Sequence, residues 1–303
     1  MKRTSILAAT LAAGLTLSAC GGDSDPLDDS GEESGSSSSD TITIGSASFP
    51  ENVLLMEIYA AALSDAGVDV ETRGNIGQRE TYIAGLDDGS IDMIPEYTGA
   101  LTLYLNADAE ATDPDGVYAE LQDALPENLT VLEPSAAEDK DSIVVTAETA
   151  SEYDLTAIGD LEPVAGELVL GGPPEFEERF TGVPGLNEVY GLEFSAFRPL
   201  AAGSNLTAQS LANGQIDVAN IFSTDPSISE NDFVVLDDPD ALFVAQNIVP
   251  LVTTDAVNDE ITTTLNGVSA ELDTAILTEL LAQVVVGGEA PEDVAREFVD
   301  SIG

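Results

Sequence analysis

The chain has 303 residues, 43% of them hydrophobic, which is enough for two modest domains with cores of their own. Its 57 acidic side chains face only 8 basic ones, for a formal net charge of −49; that balance excludes nucleic acid as a partner, because phosphate binding needs basic patches, and it suits a salt-rich, halophilic setting in which self-repulsion is screened. There is no histidine, no tryptophan and one cysteine, Cys20, which excludes Ser-His-Asp relays, histidine or thiolate metal sites and disulfides.

The first segment reads as a targeting sequence. Lys2 and Arg3 precede an apolar run from Ile6 to Leu17, the length of a signal-peptide core and too short to span a bilayer. The run ends in Leu17-Ser18-Ala19-Cys20, which resembles the bacterial lipobox, whose cysteine accepts a diacylglyceryl group. Residues 1–19 are therefore expected to be removed as a signal peptide and Cys20 to carry lipid, giving an extracytoplasmic protein anchored to the cell membrane. Residues 20–40 are mostly Gly, Ser, Asp and Glu, a composition that cannot bury a core and reads as a tether.

From Thr41 the pattern changes to alternating strands and helices. Residues 41–45 (Thr-Ile-Thr-Ile-Gly) predict a strand, and Ser48-Phe49-Pro50-Glu51 predicts a capping box with proline in the first helical turn. Leu54, Leu55, Ile58, Ala62 and Leu63 recur at helical spacing up to Gly67, and residues 68–71 supply the next strand. This β-α-β order predicts an α/β fold with open, mostly parallel sheets. Leu86-Asp87-Asp88-Gly89-Ser90-Ile91-Asp92 then recurs 125 residues later, from Leu86 to Leu211, as Leu211-Ala212-Asn213-Gly214-Gln215-Ile216-Asp217. At the same offset Tyr97-Thr98 falls on Phe222-Ser223, and the first strand falls near Leu168 to Gly171. The repeated unit is a glycine-stopped helix, a strand beginning Ile-Asp and a loop beyond the strand's carboxyl end, where ligands of open α/β sheets bind. Two such units predict two lobes around a cleft.

Four motifs carry a resemblance to a known family. Gly45-Ser46-Ala47-Ser48-Phe49-Pro50-Glu51, Pro95-Glu96-Tyr97-Thr98-Gly99, residues 171–179 (Gly-Gly-Pro-Pro-Glu-Phe-Glu-Glu-Arg) and Phe222-Ser223-Thr224-Asp225 together resemble the glycine betaine, choline and proline betaine binding proteins of osmoprotectant ABC importers. The resemblance implies a two-lobe periplasmic-binding-protein fold of type II that closes by a hinge. Lobe one is then residues 41–142 and 247–303 and lobe two residues 143–246, with crossings near Ile143 and Gln246. It also implies that Tyr97 is one wall of an aromatic box and that Arg179 clamps a ligand carboxylate. Scarcity adds weight to the arginine: past Cys20 the only basic residues are Arg73, Arg79, Lys140, Arg179, Arg198 and Arg296. Arg79, beside Gln78, is a second candidate by that reasoning, or else a strut under the cleft. The remaining candidates of the four motifs and the crossings are Ser46, Ser48, Thr98, Asp141, Glu175, Thr224, Asp225 and Gln246.

The chain also departs from that family. Ala47 stands where the family carries a lysine, and the other three box aromatics fall by alignment near Asp141, near Thr207 or Ala208, and near Asn231. Asp141 in place of an aromatic favours a ligand with hydrogen-bond donors over a quaternary ammonium, unless Phe49, Phe176 or Phe222 rebuilds the box. The expected partners are a small osmoprotectant-like solute, an ABC permease with its ATPase, and the membrane through the lipid anchor, with the protein acting as a monomer and without cofactor or metal. Asp113-Pro114-Asp115-Gly116 reads as a turn, because Ala111 and Gln122 occupy the end positions of a calcium loop. A two-lobe sensor or scaffold without transport and a carboxylate-based extracellular hydrolase are the competing functions; no constellation for nucleophilic catalysis is present, and the protein is not expected to be an enzyme.

Overall fold

Thr43 and Val169 lie on equivalent strands of the two lobes, each held by the aspartate of the repeated motif. Asp92 Oδ2 accepts from the Thr43 N–H at 2.7 Å, and Asp217 Oδ2 accepts from the Val169 N–H at 2.8 Å. The glycines before them, Gly89 and Gly214, have φ of 73° and 65°, a left-handed turn that a side chain resists. The echo extends to close packing: a Cβ on Gly45 would lie 2.7 Å from Ile91 Cδ1, and one on Gly171 2.6 Å from Ile216 Cδ1. The duplication read from the sequence is thus a duplication of packing.

The computed structural model describes residues 41–200 and 205–303; the predicted signal peptide, Cys20 and the tether lie outside the described residues. The strands are β1 (Ile42–Gly45), β2 (Val70–Arg73), β3 (Met93–Tyr97), β4 (Leu129–Val131), β5 (Asp141–Val145), β6 (Val169–Gly172), β7 (Ala196–Pro199), β8 (Val218–Phe222), β9 (Val234–Val235) and β10 (Ile248–Thr253). They form two five-stranded sheets, in the orders β2-β1-β3-β10-β4 and β7-β6-β8-β5-β9. In the first, only β10 runs against its neighbours; in the second, only β5 does. Those two strands are the ones that arrive from the other lobe, so each crossing inserts a reversed strand into an otherwise parallel sheet.

Helices cover both faces of the first sheet. One face carries α1 (Pro50–Asp65), against which the last three helices pack; Leu54, Leu55, Ile58 and Leu63 of α1 are fully buried there, each worth about 1.5–3 kcal/mol. The other face carries α2 (Arg79–Asp87), α3 (Thr98–Leu105) and α4 (Pro114–Ala124). At the head of α4, Asp113 caps the helix by accepting from the Gly116 N–H, so Pro114, Asp115 and Gly116 open a helix where the sequence suggested a plain turn. The predicted capping box at α1 does not form: the N-cap is Phe49, without a side-chain bond. The Asn52 carboxamide instead accepts from the Ala47 N–H at 2.7 Å, and Glu51 is drawn into contacts with other elements.

Two antiparallel segments join the lobes. Asp139 N–H donates to the Gln246 carbonyl at 3.1 Å and Ile248 N–H to the Ala137 carbonyl at 3.0 Å. Asp141 and Ser142 pair with Phe222 and Ile221 in the second sheet, so the first crossing lies at Glu138–Lys140, ahead of the position near Ile143 read from the sequence, because β5 is paired along its whole length.

Candidate functional site

The carboxyl ends of β3 and β8 face each other across the crossings and enclose a cleft of about 600 Å³, counted out to its open mouth. Its apolar wall is aromatic. Phe49 lies 6.0 Å from Tyr97 and 5.7 Å from Phe222 between ring centroids, with tilts of 32° and 43°, and Tyr82 and Ala100 continue the lining. Phe49 and Tyr97 belong to the first lobe and Phe222 to the second, so the wall is assembled only when the lobes meet. A cation over such rings is attracted by their quadrupoles.

Charge of both signs lines the remainder. Asp141 is the cross-strand neighbour of Phe222, so both side chains leave the same face of the sheet. Burial raises its pKa to about 6, offset in part by the Asn220 carboxamide and by Arg179 and Arg79; Asn220 Nδ2 donates to Asp141 Oδ1 at 2.9 Å. Arg179 stands at the mouth, where its guanidinium approaches Glu80 of the opposite lobe at 3.7 Å with its side chain 38% exposed. Neither Glu175 nor Glu178 pairs with it among the described residues. Glu175, Gln78 and Gln246 also line the cleft. Gln246 Oε1 accepts from the Ala100 N–H at 2.8 Å, which fixes the amide and leaves Nε2 as its donor end.

Arg79 lines the cleft but is committed beneath it. Its guanidinium donates to Glu96 through Nε at 2.7 Å and through Nη2 at 2.9 Å. The fully buried Glu96 carboxylate also accepts from Tyr82 Oη at 2.7 Å and from the Tyr97 N–H at 2.8 Å. Four donors on one buried carboxylate make this a rigid support for the Tyr82 and Tyr97 rings.

Five candidates do not line this cleft. Ser46 is buried, and its hydroxyl accepts from the Asn75 N–H at 2.9 Å; Ser48 is exposed. Thr98 accepts from the Asn247 N–H at 3.0 Å, tying β3 to the second crossing. Thr224 bonds to Glu51 and Asp139, and Asp225 accepts from the Ser227 N–H at 2.9 Å; both border a smaller neighbouring cavity. Of the aromatics that could rebuild a box, Phe49 and Phe222 reach the cleft, whereas Phe176 is buried against Phe197 and Phe243. Thr207 and Ala208 are buried in the second lobe, and Asn231 bonds to the Ser227 carbonyl at 2.8 Å. Sequence reasoning did not single out Tyr82 and Asp139, which also line the cleft. Tyr82 had a signal, since it lies one helical turn after Arg79; Asp139 had none.

Known proteins share the two-lobe fold. The profile of the substrate binding domain of ABC-type glycine betaine transport systems matches residues 40–301. A glycine-betaine-binding protein of Pseudomonas aeruginosa is 27% identical over 281 residues, covering 88% of this chain and 89% of its own. A carnitine transport binding protein of Listeria monocytogenes is 26% identical over 272 residues, covering 88% of each. A crystal structure described as a glycine betaine/carnitine/choline ABC transporter superposes with a TM-score of 0.70 at 24% identity, over 86% of this chain and 98% of the other. The two-lobe chain belongs to the family of substrate-binding domains of ABC-type glycine betaine transport systems.

Proposed function

We propose that this protein captures a small zwitterion of the betaine or amino-acid class by closing its lobes, and delivers it to an ABC permease and ATPase from a lipid anchor at Cys20. What supports the ligand class is the juxtaposition of Asp141 and Phe222 with Arg179 around one cleft. The cationic end lies on the Phe49–Tyr97–Phe222 wall within reach of Asp141, and the anionic end meets Arg179, whose planar fork suits a carboxylate. A quaternary ammonium has no N–H to offer Asp141, whereas a primary to tertiary ammonium does, and a charge-assisted hydrogen bond is worth about 1.5–3 kcal/mol. The acidic composition adds that the protein works in high salt.

A second reading has its own observation. The contacts of Phe49 with Tyr97 and Phe222 also support a rebuilt aromatic surface for trimethylammonium. Calorimetry with glycine betaine, N,N-dimethylglycine and sarcosine separates the two. The proposal expects affinity to rise about tenfold or more when one methyl gives way to hydrogen. Tightest binding by glycine betaine sinks it in favour of the second reading.

A further inference from the structure

Glu51, Thr224 and Asp139 meet where the lobes touch, and their hydrogens do not add up unless a carboxyl group is protonated. Thr224 Oγ1 is within hydrogen-bond distance of Glu51 Oε2 and 2.9 Å from Asp139 Oδ1. A threonine hydroxyl has one hydrogen. If it goes to one carboxylate, the other contact needs a hydrogen supplied by the second carboxyl. A hydroxyl shared between two anions would instead leave two negative charges together, with Glu51 3% and Asp139 5% exposed, an arrangement that burial makes very costly.

The surroundings do not neutralise the pair. Tyr97 of β3 donates its hydroxyl to Glu51 Oε1 at 2.8 Å, the Thr224 N–H donates to Asp139 Oδ1 at 3.3 Å, and Ser223 Oγ lies 3.5 Å from the same oxygen. The remaining charged neighbour, Asp225 of the loop after β8, is repulsive. Among the described residues the ion pairs are Arg79–Glu96, Lys140–Glu138, Arg179–Glu80 and Arg296–Asp65, so no lysine or arginine pairs with Glu51 or Asp139. Burial first, and then the neighbouring carboxylate, drives Asp139 well above the usual range; burial likewise raises Glu51.

Glu51 sits at the start of α1 in the first lobe, Thr224 follows β8 in the second, and Asp139 lies in the first crossing. Separating the lobes takes Thr224 from Glu51 and admits water to both carboxyl groups, which then ionise as ordinary acids.

We propose that Glu51, Thr224 and Asp139 form an interlobe latch that takes one proton from solvent on closure and returns it on opening, and that Glu51, through Tyr97, positions the aromatic wall of the cleft. Glu51 is thus a positioning residue for the ligand site. The latch works without ligand, so its test is independent of the ligand class proposed above.

Small-angle scattering of the ligand-free full chain, at constant salt between about pH 5.5 and about pH 9, measures the closed fraction. One linked proton makes the closed-to-open ratio fall tenfold per pH unit between the ordinary carboxyl pKa of the open form and the raised pKa of the closed latch, and level off above it. Glu51→Gln is the decisive variant. Its carbonyl still accepts from Tyr97, while its amide donates permanently to Thr224, which then donates to Asp139. Because Asp141 titrates near the same range, each measurement is repeated with Asp141→Asn. A pH-dependent compaction in the parent that disappears in Glu51→Gln, in both backgrounds, is the expected result. A flat profile in the parent, or the same slope in Glu51→Gln, overturns the latch. Thr224→Val supplies a second arm: with the hydroxyl gone the chain should favour the open form at every pH, and unchanged closure would equally overturn it.

Discussion

Replacing Asp141 by asparagine should stabilise the ligand-free protein at neutral pH while weakening its hold on a cationic group. The Asp141 carboxyl is nearly isosteric with an amide and already accepts from Asn220 Nδ2 at 2.9 Å, so the exchange removes charge with little change in packing. Burial raises its pKa from 3.8 to about 6, and each pH unit of displacement is worth about 1.4 kcal/mol. A carboxyl raised in this way supports the fold while protonated; that support is full below the ordinary pKa and is lost as pH rises through the folded one. At pH 8 the ionised group therefore costs up to about 3 kcal/mol, an upper bound because residual water at the cleft screens it. At pH 5 the cost is about half as large. Urea unfolding at fixed high salt should show Asp141→Asn more stable than the parent at pH 8, with the difference narrowing toward pH 5. Calorimetry should show weaker binding of sarcosine by the variant. Equal stability at pH 8 would refute the assigned desolvation, and unchanged sarcosine affinity would remove Asp141 from the cation site.

Three further outcomes are expected. Arg179→Ala should weaken binding of a carboxylate ligand by about 1.5–3 kcal/mol, roughly tenfold to a hundredfold, and should leave stability nearly unchanged because its approach to Glu80 at 3.7 Å is exposed; unchanged affinity on calorimetry would take Arg179 out of the site. With a net charge of −49, the unfolding temperature should rise as salt increases from about 0.1 M to about 1 M, where the Debye length falls from about 10 Å to about 3 Å; a flat calorimetric profile counts against charge repulsion as a determinant of stability. Cys20→Ser should shift the protein from the membrane fraction to the medium, and retention of the variant in membranes contradicts lipid anchoring.

Much of the lobe architecture is local and therefore legible. The repeat at Leu86 and Leu211 exposes the duplication because both copies need the same three things within seven residues: a helix stop at φ above zero, an isoleucine filling the space over a strand glycine, and an aspartate holding the neighbouring, earlier strand. Phe222 was legible by the same echo, as the counterpart of Tyr97. The capping box at Ser48–Glu51 misled because local spacing cannot reveal a competing partner. The bonds of Glu51 to Tyr97 and to Thr224, 173 residues further on, leave the N-cap to Phe49.

The sequence by itself determined the α/β alternation, the two equivalent lobes and the absence of histidine and thiol chemistry, since these follow from composition, periodicity and glycine placement. Only the tertiary structure decided which side chains share the cleft. Arg79 lines it while its Nε and Nη2 are bound to the buried Glu96. The aromatic wall draws Phe49 from one lobe and Phe222 from the other, and Thr224 spans the lobes instead of lining the pocket. Each of these depends on distances between residues far apart in the chain, fixed by two crossings that insert one reversed strand into each sheet. No local pattern records such distances, because they exist only once both sheets have formed and the lobes have met.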